Sequence, residues 1–133
     1  MKEPIWISRE ECLALQELLL GRFGGLAGVR DEGLLDSALN RPRHLFLYEK
    51  PSLYELAAAY AFGIIKNHPF LDGNKRTGFI TAALFLETNN RTFHSSEEMV
   101  VLQTRALAAG EISEADYAAW LKDVSKARRK KSA

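Results

Sequence analysis

Helix-start signals constrain this chain more than any other feature of its sequence. Ser8-Arg9-Glu10-Glu11 and Ser52-Leu53-Tyr54-Glu55 both have the form of a capping box. In that motif the serine oxygen accepts an N–H of the first turn, and the acid three residues on returns to the serine's own N–H. Behind Ser8, Cys12, Leu15, Leu18 and Leu19 recur at helical spacing until Gly21, Gly24 and Gly25 interrupt them, which predicts a helix over about 9–21. Asp31 can cap a short helix carrying Leu34, Leu35, Ala38 and Leu39. Arg41-Pro42 is expected to end it, because a residue before proline avoids the helical region. Residues 43–50 are too few to type; a loop, a strand or another helical turn all fit. Ser52 opens a helix through Leu56, Ala59, Tyr60, Gly63 and Ile64 to about Asn67, and its small residues allow neighbouring helices to approach closely.

Pro69 marks a break. The next helix is predicted from about Asn74 or Lys75 to Glu87; it is apolar on nearly every side and is expected to be the central, buried one. Ser95 or Ser96 opens another, with Met99, Leu102, Ala106 and Leu107 expected inward and Gly110 closing it. Ser113 begins the last, carrying Tyr117, Trp120, Leu121 and Val124. No strand alternation, repeat or linker interrupts this series. The expected fold is all-α, a single compact domain of about six helices.

The 133 residues fit one domain, and 47% hydrophobic residues can fill its core. We expect the domain to span 1–125, followed by a basic tail at 126–133 that frays as a solvated helix end. A net charge of +1 gives no global field for nucleic acid, so direct nucleic-acid binding is not expected outside the tail's KARRKK run. The single cysteine, Cys12, cannot form an internal disulfide and is expected to be packing. No apolar stretch approaches the ~18 residues of a membrane span, and MKEPIWISREE lacks the layout of a signal peptide. A cytoplasmic protein with no membrane contact is expected.

The chemistry concentrates in His68-Pro69-Phe70-Leu71-Asp72-Gly73-Asn74-Lys75-Arg76-Thr77-Gly78. Here a turn feeds the start of a helix, where unpaired N–H groups and the positive end of the dipole attract phosphate. Gly73 permits close backbone approach, Lys75 and Arg76 add two cations, and Asn74 adds an amide. Cations in a first helical turn oppose the dipole, a conflict that a bound phosphate removes. Asp72 beside such a phosphate suits an Mg²⁺ ligand. His68, across the turn, can take a proton from an attacking hydroxyl. Phe70 is the apolar exception and is expected to anchor the loop in the core. Together these parts point to transfer of a phosphate-containing group from a nucleotide to a hydroxyl. The G-x-x-x-x-G-K-[ST] pattern is absent.

The run from His68 to Arg76 resembles the signature loop of the Fic/Doc superfamily, H-P-F-x-[DE]-G-N-[GK]-R. The stretch from Arg30 to Leu39, followed by Arg41-Pro42, resembles the death-on-curing (Doc) branch. That resemblance implies a Fic fold and a toxin of a type II toxin–antitoxin system. It implies a kinase that moves the γ-phosphate of ATP, with Mg²⁺, onto a Thr or Ser of a translation factor similar to elongation factor Tu, arresting translation. By position it implies His68 as general base, Asp72 as metal ligand, and Gly73, Asn74, Lys75 and Arg76 at the nucleotide phosphates. AMP-transferring members usually have Gly where Lys75 stands and a second Arg where Phe79 stands, so both positions favour the Doc-like reading. No segment resembles the inhibitory motif of self-restrained members. Restraint is then expected from a cognate antitoxin of the Phd kind, with Leu45, Phe46, Leu47 and Tyr48 either lining its groove or packing in the core. The alternatives are an AMP transferase in the same fold and a non-catalytic binding module.

Overall fold

The computed structural model describes residues 1–128, and within them six helices and a two-stranded sheet form one compact body. The all-α expectation holds for the body of the chain. The helices are α1 (Arg9–Phe23), α2 (Glu32–Tyr48), α3 (Leu53–Asn67), α4 (Asn74–Thr88), α5 (Glu97–Ala109) and α6 (Glu114–Asp123). Ser8, Ser52 and Ser113 each complete a reciprocal capping box, and Asp31 and Ser96 cap α2 and α5 through single bonds to Leu34 and Met99. The bonds from Ser113 also hold the exposed Asp116 carboxyl below its ordinary range.

Two helix boundaries differ from expectation. Glycines 24 and 25 rather than Gly21 end α1. Pro42 does not end α2, which continues through it and takes residues 43–48 into the same helix. Proline has no N–H for the carbonyl of Ala38 four residues earlier. That carbonyl faces α3, where a Cβ at Gly63 would lie 3.2 Å from its oxygen and 3.1 Å from Ala38 Cα. Close packing of the two backbones holds the helix across the missing bond. Leu45 and Phe46 then pack against the core, while Leu47 and Tyr48 are 70% and 83% exposed.

The central helix is α3, not α4. Leu56 to Ala61 and Gly63 to Ile65 are all buried, and α3 packs against α2, α4, α5 and α6. Its run of alanines lets four helices crowd one axis, whereas α4 exposes Lys75 and Arg76 and half-buries Phe79, Ile80 and Leu84. On α1, Gln16 is buried and Leu18 is 69% exposed. On α5 the inward face is Val100, Thr104 and Leu107; Met99 and Leu102, expected inward, are exposed. The Thr104 hydroxyl bonds that of Tyr117 at 2.9 Å, so this face tolerates a polar residue that a hydrophobicity pattern passes over.

The sheet was not expected. Strands β1 (Arg91–Phe93) and β2 (Ser125–Ala127) pair antiparallel, Thr92 opposite Lys126. Beyond them Arg128 pairs with Glu87 through a 2.6 Å contact. The expected boundary after residue 125 falls inside β2, and Lys126 and Ala127 are extended rather than helical. Residues 129–133 of the basic tail lie outside the described residues. Among the described residues, no helix is long and apolar enough to cross a membrane.

Candidate active site

The signature loop joins the two most tightly packed helices. At the end of α3, His68 adopts a left-handed conformation, φ 53° and ψ 51°, that caps the helix and reverses the chain. Phe70 is fully buried in the core and fixes the loop from beneath. Against the loop runs the segment between α1 and α2: Val29 bridges Phe70, and the Leu71 N–H donates to the Gly28 carbonyl at 3.1 Å. Gly25 sits so close that a Cβ there would meet Leu20 Cδ2 at 2.9 Å and Asp72 Cβ at 3.2 Å.

Asp72 is half-buried. Its Oδ2 accepts the Leu26 N–H at 2.7 Å, and its carbonyl accepts from Gln16 Nε2 at 3.3 Å. The Leu26 N–H thus aims the carboxylate, and Gln16 holds the backbone beneath it. Among the described residues no cluster of three or more His, Cys, Asp or Glu could hold a metal by itself. Asp72 suits an ion such as Mg²⁺ that takes its remaining ligands from phosphates and water.

Asn74, expected at the phosphates, turns inward and is 4% exposed. Its Oδ1 accepts the Phe70 N–H at 3.0 Å, and its Nδ2 donates to the Phe70 carbonyl at 3.1 Å. The same Nδ2 lies 3.0 Å from His68 Nδ1. Because a backbone N–H can only donate, the amide's orientation is fixed, and its remaining hydrogen faces the imidazole. Nδ1 therefore accepts, and the neutral ring carries its proton on Nε2. Asn74 braces the loop and the histidine rather than presenting its amide to a ligand.

Gly73, at φ 77°, precedes α4, and no side chain caps this helix. Lys75 and Arg76 are exposed on its first turn, with the Arg76 guanidinium 4.3 Å above the Phe23 ring. The Thr77 hydroxyl is buried without a partner among the described residues. Uncapped N–H groups, two exposed cations, a half-buried carboxylate and the imidazole thus fall within the nine residues from His68 to Arg76. Phe79, one turn further, meets Phe93 edge-on at 5.3 Å and Trp120 at a tilt at 6.4 Å, and so serves the packing of α4 on β1 and α6.

The profile of the Fic/DOC family matches residues 6–86, the span that holds His68, Asp72, Gly73, Asn74, Lys75 and Arg76. This chain belongs to the Fic/Doc family. Two relatives place it on the Doc branch. It is 38% identical over 108 residues to the protein called Protein kinase doc of Escherichia phage P1, covering 80% of this chain and 85% of that one. It is 38% identical over 86 residues to Toxin Doc of Mycolicibacterium smegmatis, covering 63% of this chain and 64% of that one.

Three contributors to the Fic/Doc loop escaped sequence reasoning: Gln16, the Leu26 N–H and Arg30. Gln16 carried a faint signal, a polar residue on an otherwise apolar helical face. Leu26 carried none, because a backbone donor has no sequence signature. Arg30 donates from Nε to the His68 carbonyl at 2.7 Å and from Nη2 to the Asn67 carbonyl at 3.0 Å.

Proposed function

We propose that the protein is a Doc-type toxin that transfers the γ-phosphate of ATP to a Thr or Ser hydroxyl of a translation factor similar to elongation factor Tu. The observation that carries this reading is the start of α4. The other five helices have a side chain on their first-turn N–H groups, and the helix behind Gly73 has none. Uncapped N–H groups beside Lys75 and Arg76 are an anion site.

The nucleotide's phosphates lie over Gly73, Lys75 and Arg76. Asp72 would hold Mg²⁺, which would supply positive charge against that developing on the transferred group. The acceptor oxygen forms a bond to the γ-phosphorus as the bond to the β,γ-bridging oxygen breaks, leaving ADP. The acceptor's proton passes to His68. Since Nδ1 accepts from Asn74 in the state described, the ring must turn or exchange tautomer before taking it, a modest adjustment for an exposed imidazole; catalytic hydrogen bonds commonly tighten only once substrate is bound.

The absence of a second arginine at Phe79 favours transfer of the terminal phosphate over AMP. Incubation of the protein with a translation extract and ATP labelled at either the γ or the α position separates the two. Label from γ alone, Mg²⁺-dependent and reduced by about 10²–10⁴-fold in His68→Ala, is expected. Label from α alone refutes the kinase reading, and growth arrest that survives His68→Ala favours the non-catalytic one. An antitoxin of the Phd kind is proposed as partner, with exposed Leu47 and Tyr48 in its contact. Leu47→Glu and Tyr48→Glu should weaken its binding; unchanged affinity discards that surface.

A further inference from the structure

Arg30 stands one residue before the N-cap of α2, where a cation opposes the positive end of that helix's dipole. Among the described residues no carboxylate pairs with it. Its charge is used elsewhere. The guanidinium forks onto the carbonyls of Asn67 and His68, the last residue and the C-cap of α3. The backbone N–H groups of Arg30 and Asp31 both donate to the next carbonyl, that of Pro69, at 2.7 and 3.1 Å. Three consecutive carbonyls of the catalytic turn are thus bound by two residues at the start of α2. At the negative end of α3 the cation is favourable. What it binds is a histidine held left-handed, a conformation uncommon for a non-glycine residue, which persists only where its surroundings impose it.

We infer that Arg30 is a positioning residue for His68: its fork on the Asn67 and His68 carbonyls holds the left-handed turn from which the imidazole is presented beside the first residue of α4. This rests on His68 being the base of the proposed transfer. Lysine cannot replace the fork, because an ammonium is a point charge without two fixed parallel donors.

The test compares Arg30→Ala and Arg30→Lys with the native protein, each checked for unchanged thermal unfolding and helix content. A small misplacement of a reacting group can cost about 10²-fold. Both variants should therefore lose kcat for γ-phosphate transfer by about tenfold or more while KM for ATP stays within about twofold. ¹⁵N spectra of the His68 ring should move from a fixed Nε2–H form toward a tautomer average as the Asn74 contact loosens. A raised KM at unchanged kcat would mean that Arg30 binds the nucleotide, and the inference fails. If the native protein proves to transfer no phosphate, the reading of function fails by itself. The spectra then decide alone: a ring signal identical in all three proteins overturns the positioning role.

Discussion

At the scale of single residues, Asn74 is the most consequential side chain that the loop buries. It satisfies the N–H and carbonyl of Phe70, itself fully buried, and orients His68 with what remains. Removing one partner from buried polar groups costs about 1–3 kcal/mol, because they are left dry and unpaired. Asn74→Ala should lower stability by about that much in urea unfolding, and should lower kcat of the proposed transfer as well because the loop that carries the imidazole loses its brace at Phe70. A variant of native stability and full activity would show the brace to be dispensable. Cys12 shows the opposite case. It is wholly enclosed beneath Thr81, with Sγ 3.8 Å from that hydroxyl, and burial pushes its thiol up to about 11. A thiol reagent at mildly alkaline pH should label it only as fast as the protein unfolds; rapid labelling of the native form would contradict the packing.

At the scale of elements, close approach of helices decides where the signature loop sits. Gly63 lets α3 meet α2 at Ala38, and α2 delivers Arg30 and Asp31 to the turn at His68. A methyl at Gly63 has backbone in its way, so relief requires the helices to separate. Gly63→Ala should destabilise by about 1–3 kcal/mol, measured by chemical denaturation, although alanine is the better helix former. Ser52→Ala, which removes one half of a complete capping box, should cost about 1 kcal/mol. The capping boxes were legible because a cap is a local contract between residues three apart. The passage of α2 through Pro42 was not, because what tolerates the proline is a helix more than twenty residues away. The same holds for α5. Its spacing is helical either way, and only the position of α6 and Tyr117 decides that Thr104 rather than Leu102 faces inward.

For the molecule as a whole, three acidic groups are held neutral in the core. Cys12 is raised to about 11, and Tyr60 and Tyr117 to about 12, in each case chiefly by burial. The Tyr60 hydroxyl accepts the Ile7 N–H at 2.9 Å, tying the N-terminal segment to α3. Once pH exceeds the ordinary values of 9.0 and 10.0, the unfolded chain releases protons that the folded one retains. Linkage then lowers stability as pH rises. This contribution is intact at neutral pH and should be lost progressively between about pH 9 and 12, readable as a falling denaturant midpoint. A midpoint constant across that window would mean these groups are hydrated in the native state.

By itself the sequence determined the helices, their caps and the one loop in which charge, glycine and imidazole meet, because each of those depends on residues close together along the chain. The tertiary structure alone decided that α3 is the hub, that Asn74 turns inward, that residues 91–93 and 125–127 pair as strands, and that Arg30 reaches the turn at His68. Each joins groups from separate segments or depends on what surrounds them, and neither helical spacing nor local propensity carries information about which distant backbone will come to lie beside them.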